Sequence, residues 1–524
     1  MRDFHLPGRS PVLSLNGMCA TSHPLAARVA VDTLARGGNA VDAAIAGAVL
    51  LGLCEPQMTG LGGDAFVLLK PAGSDEVVAL NGSGAAPEGM TARRLRARGH
   101  DAVPLEGPEA VTLPGAVDAF CRLSERHGRI GLEATLAPVI PYFDEGVPVA
   151  PRVAFDWAEA AGRLSGTARE TYLPWGAPPA PGTRFALPGQ AEVLRRVAKH
   201  GRAAFYEGEV AADMASSLAA MGGVHAAEHF GGVEATWTTP IHGAVAGAEL
   251  VEHPPNGQGA TALLMANILA RFDLAALDPF GAPRAHLEAE AAKLAYDARD
   301  RFLADPDHVA RLDHMLSDAT ADALAALIDP KRAMPDPRRA SEAVHKDTIY
   351  ITVVDRDRMA VSLIYSIFHS FGAGIASGRF GLLFQNRGAG FSLERWHPNE
   401  MAPGKRPMHT IIPGLLRWDG AVMPFGVMGG AYQPNGHVRL VHNMLIHGMD
   451  AQSAIDAPRA FSDGGVMKVE RGYPDAVRAE LEAMGHAVAV PDTAIGGAQA
   501  IRIAPEGHLE GASDPRKDGC ALGY

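Results

Sequence analysis

The chain has 524 residues, of which 47% are hydrophobic and 20% are charged, and its formal net charge is −12. This composition excludes a disordered chain, and the length allows one large α/β body or two to three ordinary domains. An acidic chain without basic blocks is poorly suited to nucleic acid or to an anionic membrane. We therefore expect neither of these as a partner and predict small-molecule ligands.

The N-terminal segment and the cysteines bear on the compartment. Residues 1–17 carry charges and prolines where a signal peptide needs an uninterrupted apolar run, which argues against secretion. No two cysteines form a CxxC pair, and their spacing suits neither a zinc site nor a disulfide framework. The four are Cys19, Cys54, Cys121 and Cys520. We therefore expect buried free thiols and a cytoplasmic protein.

The first part of the chain contains clear helix and turn signals. A helical pattern over residues 26–34 stops at Gly37-Gly38, and Asn39 is placed to cap a second helix that runs to about Leu53. The apolar run 43–53 is too short to span a bilayer, so we predict a buried core helix. A glycine-rich turn at 59–64 precedes a strand at 65–69.

The middle of the chain is mainly helical in pattern. Helices are predicted at 116–127, 189–221, 260–271, 283–303 and 319–328. In the helix 283–303 we interpret the charged residues as a solvated face rather than an acid–base site; they include Glu288, Glu290, Lys293 and Arg299. Residues 329–345 are polar, contain prolines and have few apolar side chains, so they are predicted to form an exposed linker.

The sequence becomes rich in β-formers after this linker. Two strand patterns, 348–354 and 359–368, flank the turn sequence Asp355-Arg356-Asp357-Arg358. A symmetric hairpin would place Thr348 opposite Tyr365, one residue from Ser366, so a second hydroxyl would lie close to Thr348. Further strands are predicted at 381–385, 410–417 and 422–427, and helices at 436–448 and 475–485.

Thr348 is the candidate nucleophile. Backbone cleavage before this residue would place its hydroxyl beside its own free α-amine, so one residue would supply both nucleophile and general base. An α-amine titrates near pH 7.7–8.0, roughly where a base working close to neutral pH should titrate. This is the arrangement of an N-terminal nucleophile (Ntn) hydrolase. The alternative is an ordinary threonine at the start of a strand.

Short sequence blocks occur in a fixed order along nearly the whole chain. Those of the first part are Ser22-His23-Pro24-Leu25-Ala26, Gly37-Gly38-Asn39-Ala40-Val41-Asp42-Ala43-Ala44, Glu55-Pro56, Gly60-Leu61-Gly62-Gly63, Pro114-Gly115-Ala116-Val117 and Asp305-Pro306-Asp307. Those of the second part are Thr348, Val353-Val354-Asp355, Ala360-Val361-Ser362, Phe371-Gly372, Gly374-Ile375, Lys405-Arg406-Pro407, Gly429-Gly430 and Gly511-Ala512-Ser513-Asp514-Pro515-Arg516. Together they resemble the γ-glutamyltranspeptidase family of the Ntn hydrolase superfamily.

The resemblance implies an α/β (α+β) fold, a four-layer αββα sandwich made from one precursor. The precursor would cut itself between Asp347 and Thr348. The products would be a large subunit, residues 1–347, and a small subunit, residues 348–524, which stay together as one globular body. No cofactor is implied.

The resemblance also implies roles for three further residues of the small subunit. Gly429 and Gly430 would supply backbone N–H groups for an oxyanion hole, and a tight strand-to-helix turn is compatible with the same glycines. Similar proteins orient the nucleophile with a threonine where this chain has Ser366. A sheet serine bonded to the backbone is the alternative for Ser366.

The substrate-binding positions depart from the family pattern. Members that bind a γ-glutamyl group hold its α-carboxylate with an arginine, and Ser83 occupies that position here. The Asn, Gln and Asp that hold the α-amine are replaced by Phe368, Arg387 and Gly390. An arginine repels an ammonium and attracts a carboxylate, so we expect Arg387 to bind a carboxylate. A structural ion pair with Glu394 or Asp355 is the alternative.

His409 and Thr410 replace the usual Ser-Ser pair, and either substrate binding or pocket filling is open for His409. The segments around Arg387 and His409 look more like the amidohydrolase branch of the family, which includes oxamate amidohydrolases. Oxamate has a carboxylate and an amide but no ammonium. We therefore predict a self-processing amidohydrolase that cleaves an oxamate-like amide through an acyl-enzyme on Thr348.

Three other functions remain open at this point. They are a γ-glutamyltranspeptidase or glutathione hydrolase, an acylase for larger acyl amides and, from another class, an unprocessed homologue without enzymatic activity. The 21 histidines include no HExxH motif, so we predict no metal site. Symmetry allows a dimer of heterodimers as the assembled form.

Overall fold

The computed structural model describes residue 5 and residues 8–309, 311–335 and 348–524. The strands of these residues are β1 (Val12–Ser14), β2 (Met18–Thr21), β3 (Asp64–Lys70), β4 (Val78–Gly82), β5 (Val147–Pro148), β6 (Arg184–Phe185), β7 (Thr236–Thr238), β8 (Ile241–Val245), β9 (Ala248–Glu252), β10 (Ile349–Val354), β11 (Ala360–Ser366), β12 (Gly414–Trp418), β13 (Ala421–Met428), β14 (Ala460–Asp463), β15 (Val466–Val469), β16 (Ala487–Ala489), β17 (Gly497–Ile503), β18 (Leu509–Ser513) and β19 (Cys520–Gly523).

The helices of the same residues are α1 (Pro24–Ala35), α2 (Ala40–Cys54), α3 (Ala92–Ala97), α4 (Ala116–His127), α5 (Gly131–Leu136), α6 (Ile140–Glu145), α7 (Pro151–Ala160), α8 (Gly166–Tyr172), α9 (Pro188–His200), α10 (Ala203–Tyr206), α11 (Gly208–Ala220), α12 (Ala227–Gly231), α13 (Gly259–Leu269), α14 (Ala282–Phe302), α15 (Leu312–Met315), α16 (Asp318–Ala325), α17 (Gln433–Leu445), α18 (Ala451–Asp456) and α19 (Asp475–Ala483). None of these helices is long and apolar enough to cross a membrane.

Two seven-stranded antiparallel sheets form the centre of the protein. Their strand orders are β1-β18-β17-β13-β12-β9-β8 and β19-β2-β10-β11-β3-β4-β7, and smaller sheets are made by β14-β15-β16 and by β5-β6. Each large sheet combines strands that precede residue 336 with strands that follow residue 347. In the second sheet, β10 and β11 lie between β2 and β3. The two parts of the chain therefore share both sheets.

Helices cover the outer face of each large sheet. Apolar residues of α1, α2 and α4 pack with alternate residues of β10 and β11, and those of α13, α14 and α17 pack with β9, β12 and β13. Every residue of α2 is buried, and Asn39 with Asp42 forms a capping box at its start. The predicted four-layer αββα sandwich and the buried helix after Asn39 are thereby confirmed.

Alternation along the central strands decides which side chains lie between the sheets. Ile349 and Ile351 face the helices, whereas Tyr350 packs with Phe66, Ile364 and Met428 in a cluster between the sheets. Gly426 on the opposite sheet makes room for this contact, because a Cβ there would lie 2.3 Å from Tyr350 Cε2. Residues separated from Tyr350 by an even number of positions along the strand, such as Thr348, lie on the same face between the sheets.

The β10–β11 hairpin differs from the predicted register by one residue. Ile349 pairs with Tyr365, so Thr348 lies opposite Ser366 rather than Tyr365. The turn has five residues instead of four, because Asp355 Oδ1 accepts the N–H groups of both Asp357 and Met359 and keeps Met359 out of the strand. The shift brings the two hydroxyl side chains to directly opposed positions.

Two other predictions about secondary structure and exposure are wrong. Residues 381–385 form no strand; Leu383 makes only an isolated bridge with Ala376. Helix α14 does not present a solvated charged face, because Glu288, Glu290, Lys293 and Arg299 are all buried. Pairing with opposite charges offsets the desolvation cost of this burial; for example, Glu288 accepts hydrogen bonds from Arg284 and Arg439. Three cysteines are buried as predicted, and Cys520 is partly exposed.

Candidate active site

Thr348 and Ser366 meet at the end of the central hairpin. Thr348 is fully buried and directly precedes β10, and Ser366 is the last residue of β11. Thr348 Oγ1 donates a hydrogen bond to Ser366 Oγ over 3.3 Å. Both side chains lie on the face between the sheets, since they keep the alternation of Tyr350 and Ile364. Asp347, the other half of the predicted cleavage site, lies outside the described residues.

Ser366 connects the threonine to Arg387. Its Oγ accepts hydrogen bonds from Arg387 Nη2 at 3.3 Å and from the backbone N–H of Phe368 at 2.9 Å. Both interpretations of Ser366, as a backbone-bonded serine and as a neighbour of the nucleophile, are therefore compatible, because one hydroxyl binds the backbone and contacts Thr348. The Phe368 N–H and the Arg387 guanidinium therefore hold Ser366 Oγ in place beside Thr348 Oγ1.

Arg387 is a fully buried cation that no described carboxylate contacts directly. Its Nη1 donates to Thr410 Oγ1 at 3.0 Å, and its Cζ lies 3.9 Å from the ring centre of Phe368. The alternative of an ion pair with Glu394 or Asp355 is wrong, because no described carboxylate lies within 4.0 Å of this guanidinium.

Burial lowers the pKa of Arg387 to about 9, with an opposing contribution from Asp64, so the group is charged at neutral pH. Among the described residues, Ser366 and Thr410 accept from two of its five N–H donors, and Nε has no partner. A desolvated guanidinium with free donors is a strong site for a carboxylate.

Asp64 is a site residue that the sequence analysis did not identify. It begins β3 opposite Ser366, and its Oδ1 accepts the N–H groups of Gly84 and Gly115 at 3.0 Å and Gln385 Nε2 at 2.9 Å. The only signal was its place at the end of the glycine-rich turn 59–64. The burial that makes it an organising acceptor is not visible in one sequence.

His409 is held by Asp64 rather than left open to a ligand. Its Nε2 lies 3.2 Å from Asp64 Oδ2, and Nδ1 accepts the Ile411 N–H, which assigns the proton to Nε2. Phe66 packs between His409 and His253, with ring centres 4.6 Å and 4.1 Å away. Burial, aided by the charge of Arg387, lowers the pKa of His409 to about 3, so it is a neutral donor. These contacts favour the pocket-filling interpretation.

Ser83 belongs to a second buried network without charge. Its Oγ accepts from Asn256 Nδ2 at 3.1 Å, and the same amide donates to the Pro407 carbonyl at 2.6 Å. The Asn256 carbonyl oxygen of the backbone accepts the His409 N–H at 2.7 Å. Asn256, also missed from sequence, thereby fixes the segment that carries His409 and Thr410 against the end of β4.

Gly429 and Gly430 form a strand-to-helix turn between β13 and α17. Their φ angles are 124° and 54°, which a residue with a side chain rarely adopts. Met428, directly before them, packs against Tyr350, so the turn lies on the sheet that faces Thr348. Within the described part of the chain, neither glycine N–H has a hydrogen-bond acceptor.

Gln258 joins this turn to the arginine side of the site. Its Nε2 donates to the carbonyl oxygens of Thr410 at 2.5 Å and Gly430 at 3.0 Å, and its Oε1 accepts from Arg299. The predicted residues Thr348, Ser366, Phe368, Arg387 and Thr410 thus form one connected group, and Gly430 is linked to it through Gln258.

The sequence matches the family description Gamma-glutamyltranspeptidase over residues 26–524. The chain belongs to this family. Two relatives of this γ-glutamyltranspeptidase-family member are the glutathione hydrolase-like YwrD proenzyme of Bacillus subtilis and the oxamate amidohydrolase proenzyme of Klebsiella pneumoniae. The first is 33% identical over 530 residues and the second 34% over 531, and each alignment covers 98% of this chain and 99% of the relative.

Solved structures agree with the family assignment. The crystal structure of cephalosporin acylase from Bacillus halodurans superposes with a TM-score of 0.93 at 35% identity, and it covers 100% of this chain and 99% of the acylase chain. All of these relatives are named as hydrolases, and the chain is a hydrolase of the same family.

Proposed function

We propose that the chain is a self-processing amidohydrolase for a small amide that carries a carboxylate, of the kind that oxamate represents. The observation that carries the proposal is Arg387, a buried cation that no described carboxylate contacts and that is connected to Thr348 through one hydroxyl. A compact substrate whose carboxylate binds Arg387 would have its amide carbon close to Thr348 Oγ1.

Maturation would use the same hydroxyl as turnover. Thr348 Oγ1 attacks the carbonyl carbon of Asp347, the peptide C–N bond breaks, and an ester to Asp347 replaces it. Water hydrolyses this ester, which leaves a new carboxylate on Asp347 and a free α-amine on Thr348. The cut would separate residues 1–347 from 348–524, and the shared sheets would keep both chains together.

In turnover the α-amine of Thr348 takes the hydroxyl proton as Oγ1 attacks the substrate amide. The N–H groups of Gly429 and Gly430, which have no described acceptor, are suited to bind the oxyanion. The C–N bond breaks, the departing nitrogen takes the proton from the α-ammonium, and ammonia leaves. Water then attacks the acyl-enzyme and releases the acid.

The surroundings of Arg387 support a substrate that has a carboxylate but no ammonium. The groups that contact Arg387 are Ser366, Phe368 and Thr410, and none of them is an acid that could neutralise a γ-glutamyl ammonium. The nearby carboxylate of Asp64 is already bonded to His409, Gln385 and two backbone N–H groups. The naming of one relative as an oxamate amidohydrolase supports a small carboxylate substrate. Glutathione hydrolase and acylase activities stay as alternatives because other relatives carry those names.

Two measurements test the proposal. Intact mass and N-terminal sequencing of the purified protein should give two chains, the smaller beginning Thr-Ile-Tyr-Ile, and a Thr348→Ala protein should stay uncut. Ammonia release from oxamate should then exceed release of aniline from a γ-glutamyl anilide and cleavage of a glutaryl amide. A single chain that stays intact on incubation would refute the nucleophile, and dominant γ-glutamyl turnover would refute the substrate class.

A further inference from the structure

Three side chains of metal-binding type converge outside the Thr348 site. His286 and Glu290 lie one turn apart on α14, and His486 follows α19. All three are buried, and their potential ligand atoms lie within 4.8 Å of one another. The first two belong to the part of the chain before residue 336 and the third to the part after residue 347.

The two imidazoles point nitrogen to nitrogen. His286 Nδ1 is 2.7 Å from His486 Nε2, and His286 Nε2 is 2.8 Å from the carbonyl oxygen of Asp329. A ring nitrogen facing a carbonyl must carry the proton, so the lone pair of His286 lies on Nδ1 and points toward His486. A metal-binding histidine characteristically directs its other N–H to a carbonyl or carboxylate in this way.

Glu290 completes the group with a carboxylate. Its Oε1 accepts from Lys293 Nζ at 2.7 Å, and its Oε2 accepts the Met334 N–H at 2.8 Å. Lys293 also donates to the Met334 carbonyl oxygen at 2.8 Å, so its ammonium keeps a partner if Oε1 is given up. A cation bound through Oε1 would therefore replace one of two hydrogen bonds of Lys293 and leave the Met334 N–H on Oε2.

A cavity of about 490 Å³ gives access to this cluster. His486, Lys293, Asp329 and Met334 are among its lining residues. It offers a route for a hydrated ion and room for a water molecule as a further ligand. Since His286 Nδ1 is unprotonated, His486 Nε2 carries the proton of their contact, and binding of an ion would move that proton to His486 Nδ1.

We propose that His286 Nδ1, Glu290 and His486 Nε2 bind a divalent transition-metal ion, with Zn²⁺ preferred and a cavity water as the fourth ligand. Two imidazoles and one carboxylate are a ligand set that Zn²⁺ favours. Tetrahedral bonds of about 2.0–2.1 Å require the two nitrogens to separate to about 3.3 Å, a small rotation of either ring. The prediction of no metal site rested on local motifs, and these ligands are up to 200 residues apart.

The ion would connect the part of the chain before residue 336 to the part after residue 347, at a position outside the two large sheets. It would tie α14 and the segment around Met334 to the turn after α19, and, if the proposed cut occurs, it would bridge the subunits. The binding itself does not depend on the cut. It can be measured in the Thr348→Ala protein, so failure of the metal site and failure of the proposed function are distinguishable.

Titration of the chelator-stripped full-length protein with Zn²⁺, in competition with a chromophoric chelator, tests the site. We expect one ion per chain and at least about a 100-fold loss of affinity in His286→Gln and His486→Gln. The matched control is His242→Gln, since His242 is a surface histidine, also near a glutamate, with a side chain 42% exposed. Zinc affinity in this control should equal that of the wild type.

Cobalt(II) provides a second measurement that needs no folded variant. The wild-type protein with one Co²⁺ should show the intense visible absorption of a four-coordinate site, and Zn²⁺ should displace it. Absence of these bands overturns the proposal, as does zinc uptake that is equal in wild type, His286→Gln and His486→Gln. Zinc uptake lost in both variants, with far-UV spectra unchanged, supports it.

Discussion

Thr348 Oγ1 lies 3.3 Å from Ser366 Oγ, at directly opposed positions of neighbouring strands. This geometry follows from the five-residue turn, since a four-residue turn would have placed Tyr365 opposite Thr348. The contact connects a candidate nucleophile to the only described hydroxyl that also accepts a hydrogen bond from Arg387 Nη2. Ser366 is therefore the group through which substrate binding and nucleophile orientation are coupled.

Replacing Thr348 by alanine should abolish both processing and turnover. Without Oγ1 there is no attack on the carbonyl of Asp347, so the protein should remain one chain on denaturing gels. Residual activity should be lower by about 10³-fold or more, as for other nucleophile deletions. Thr348→Ser keeps a hydroxyl and should still be cut. A Thr348→Ala protein that is cut would contradict the role.

Ser366→Ala should lower kcat by about 10- to 100-fold while leaving the protein folded, because Thr348 Oγ1 loses its hydrogen-bond acceptor. Ser362→Ala is the matched control, since this buried serine of the same strand bonds to Tyr350 and the Phe425 carbonyl instead. It should affect the denaturation midpoint but not kcat. Ser366→Thr should restore activity, and equal kcat in Ser366→Ala and wild type would exclude an orienting role.

Arg387→Met should raise KM for a carboxylate-bearing amide and leave processing unchanged. Loss of a charge-assisted contact to a carboxylate of this kind costs about 2–5 kcal/mol, which is at least a 30-fold fall in kcat/KM. The decisive readout is selectivity: the variant should lose less activity toward the matching amide without a carboxylate. Arg387→Lys should be intermediate, because it keeps the charge but loses the planar donor set. Equal losses for both substrates would indicate a structural role.

Gly430→Ala should reduce kcat more than its effect on stability explains. The matched control is Gly464→Ala, because Gly464 has nearly the same φ, 56° against 54°, in a surface turn with no atom near its would-be Cβ. Both changes should cost about 1 kcal/mol of unfolding free energy for the strained backbone. Only Gly430→Ala should lower kcat, because alanine keeps the N–H but a shift of this turn would move it away from the oxyanion. Similar kcat values in the two variants would contradict the oxyanion assignment.

The buried neutral His409 should make the protein less stable as the pH falls. The unfolded chain takes up this proton below about pH 6.5, whereas the folded pKa is about 3, so acid favours unfolding throughout this interval. Between pH 6.5 and 5 the contribution is about 2 kcal/mol. In the uncut Thr348→Ala background, His409→Gln should flatten the pH dependence of the unfolding free energy by this amount.

The sequence was sufficient to predict the central helix and hairpin of this fold. It was not sufficient to identify the buried polar residues around the site. Asn39 capping α2 and the strand patterns around residue 355 are local signals, and the structure contains both elements. The register error at Thr348 arose because the hydrogen bonds of Asp355 decide the turn length. Asp64, Asn256 and Gln258 were missed because their importance depends on burial and on partners more than 100 residues away.

Helix α14 illustrates a different limit of sequence reasoning. Its charged residues alternate with alanines, a pattern typical of a solvated helix, yet Glu288 is enclosed by arginines from two helices. The contact with Arg439 joins positions 151 residues apart, so no helical spacing reveals it. Buried charges that neutralise one another across elements are invisible to any rule that evaluates a segment alone.

The interleaving of early and late strands in both large sheets has a consequence for the lifetime of the enzyme. In the uncut chain, β10 pairs with β2 and β11 pairs with β3 as intramolecular events, with the high effective concentration that a covalent connection provides. After the proposed cut, the same pairing would require two separate chains to meet while each exposes unpaired strand edges. The cut protein should therefore not refold after denaturation. Its heat inactivation should be irreversible, whereas the uncut Thr348→Ala protein should refold on cooling.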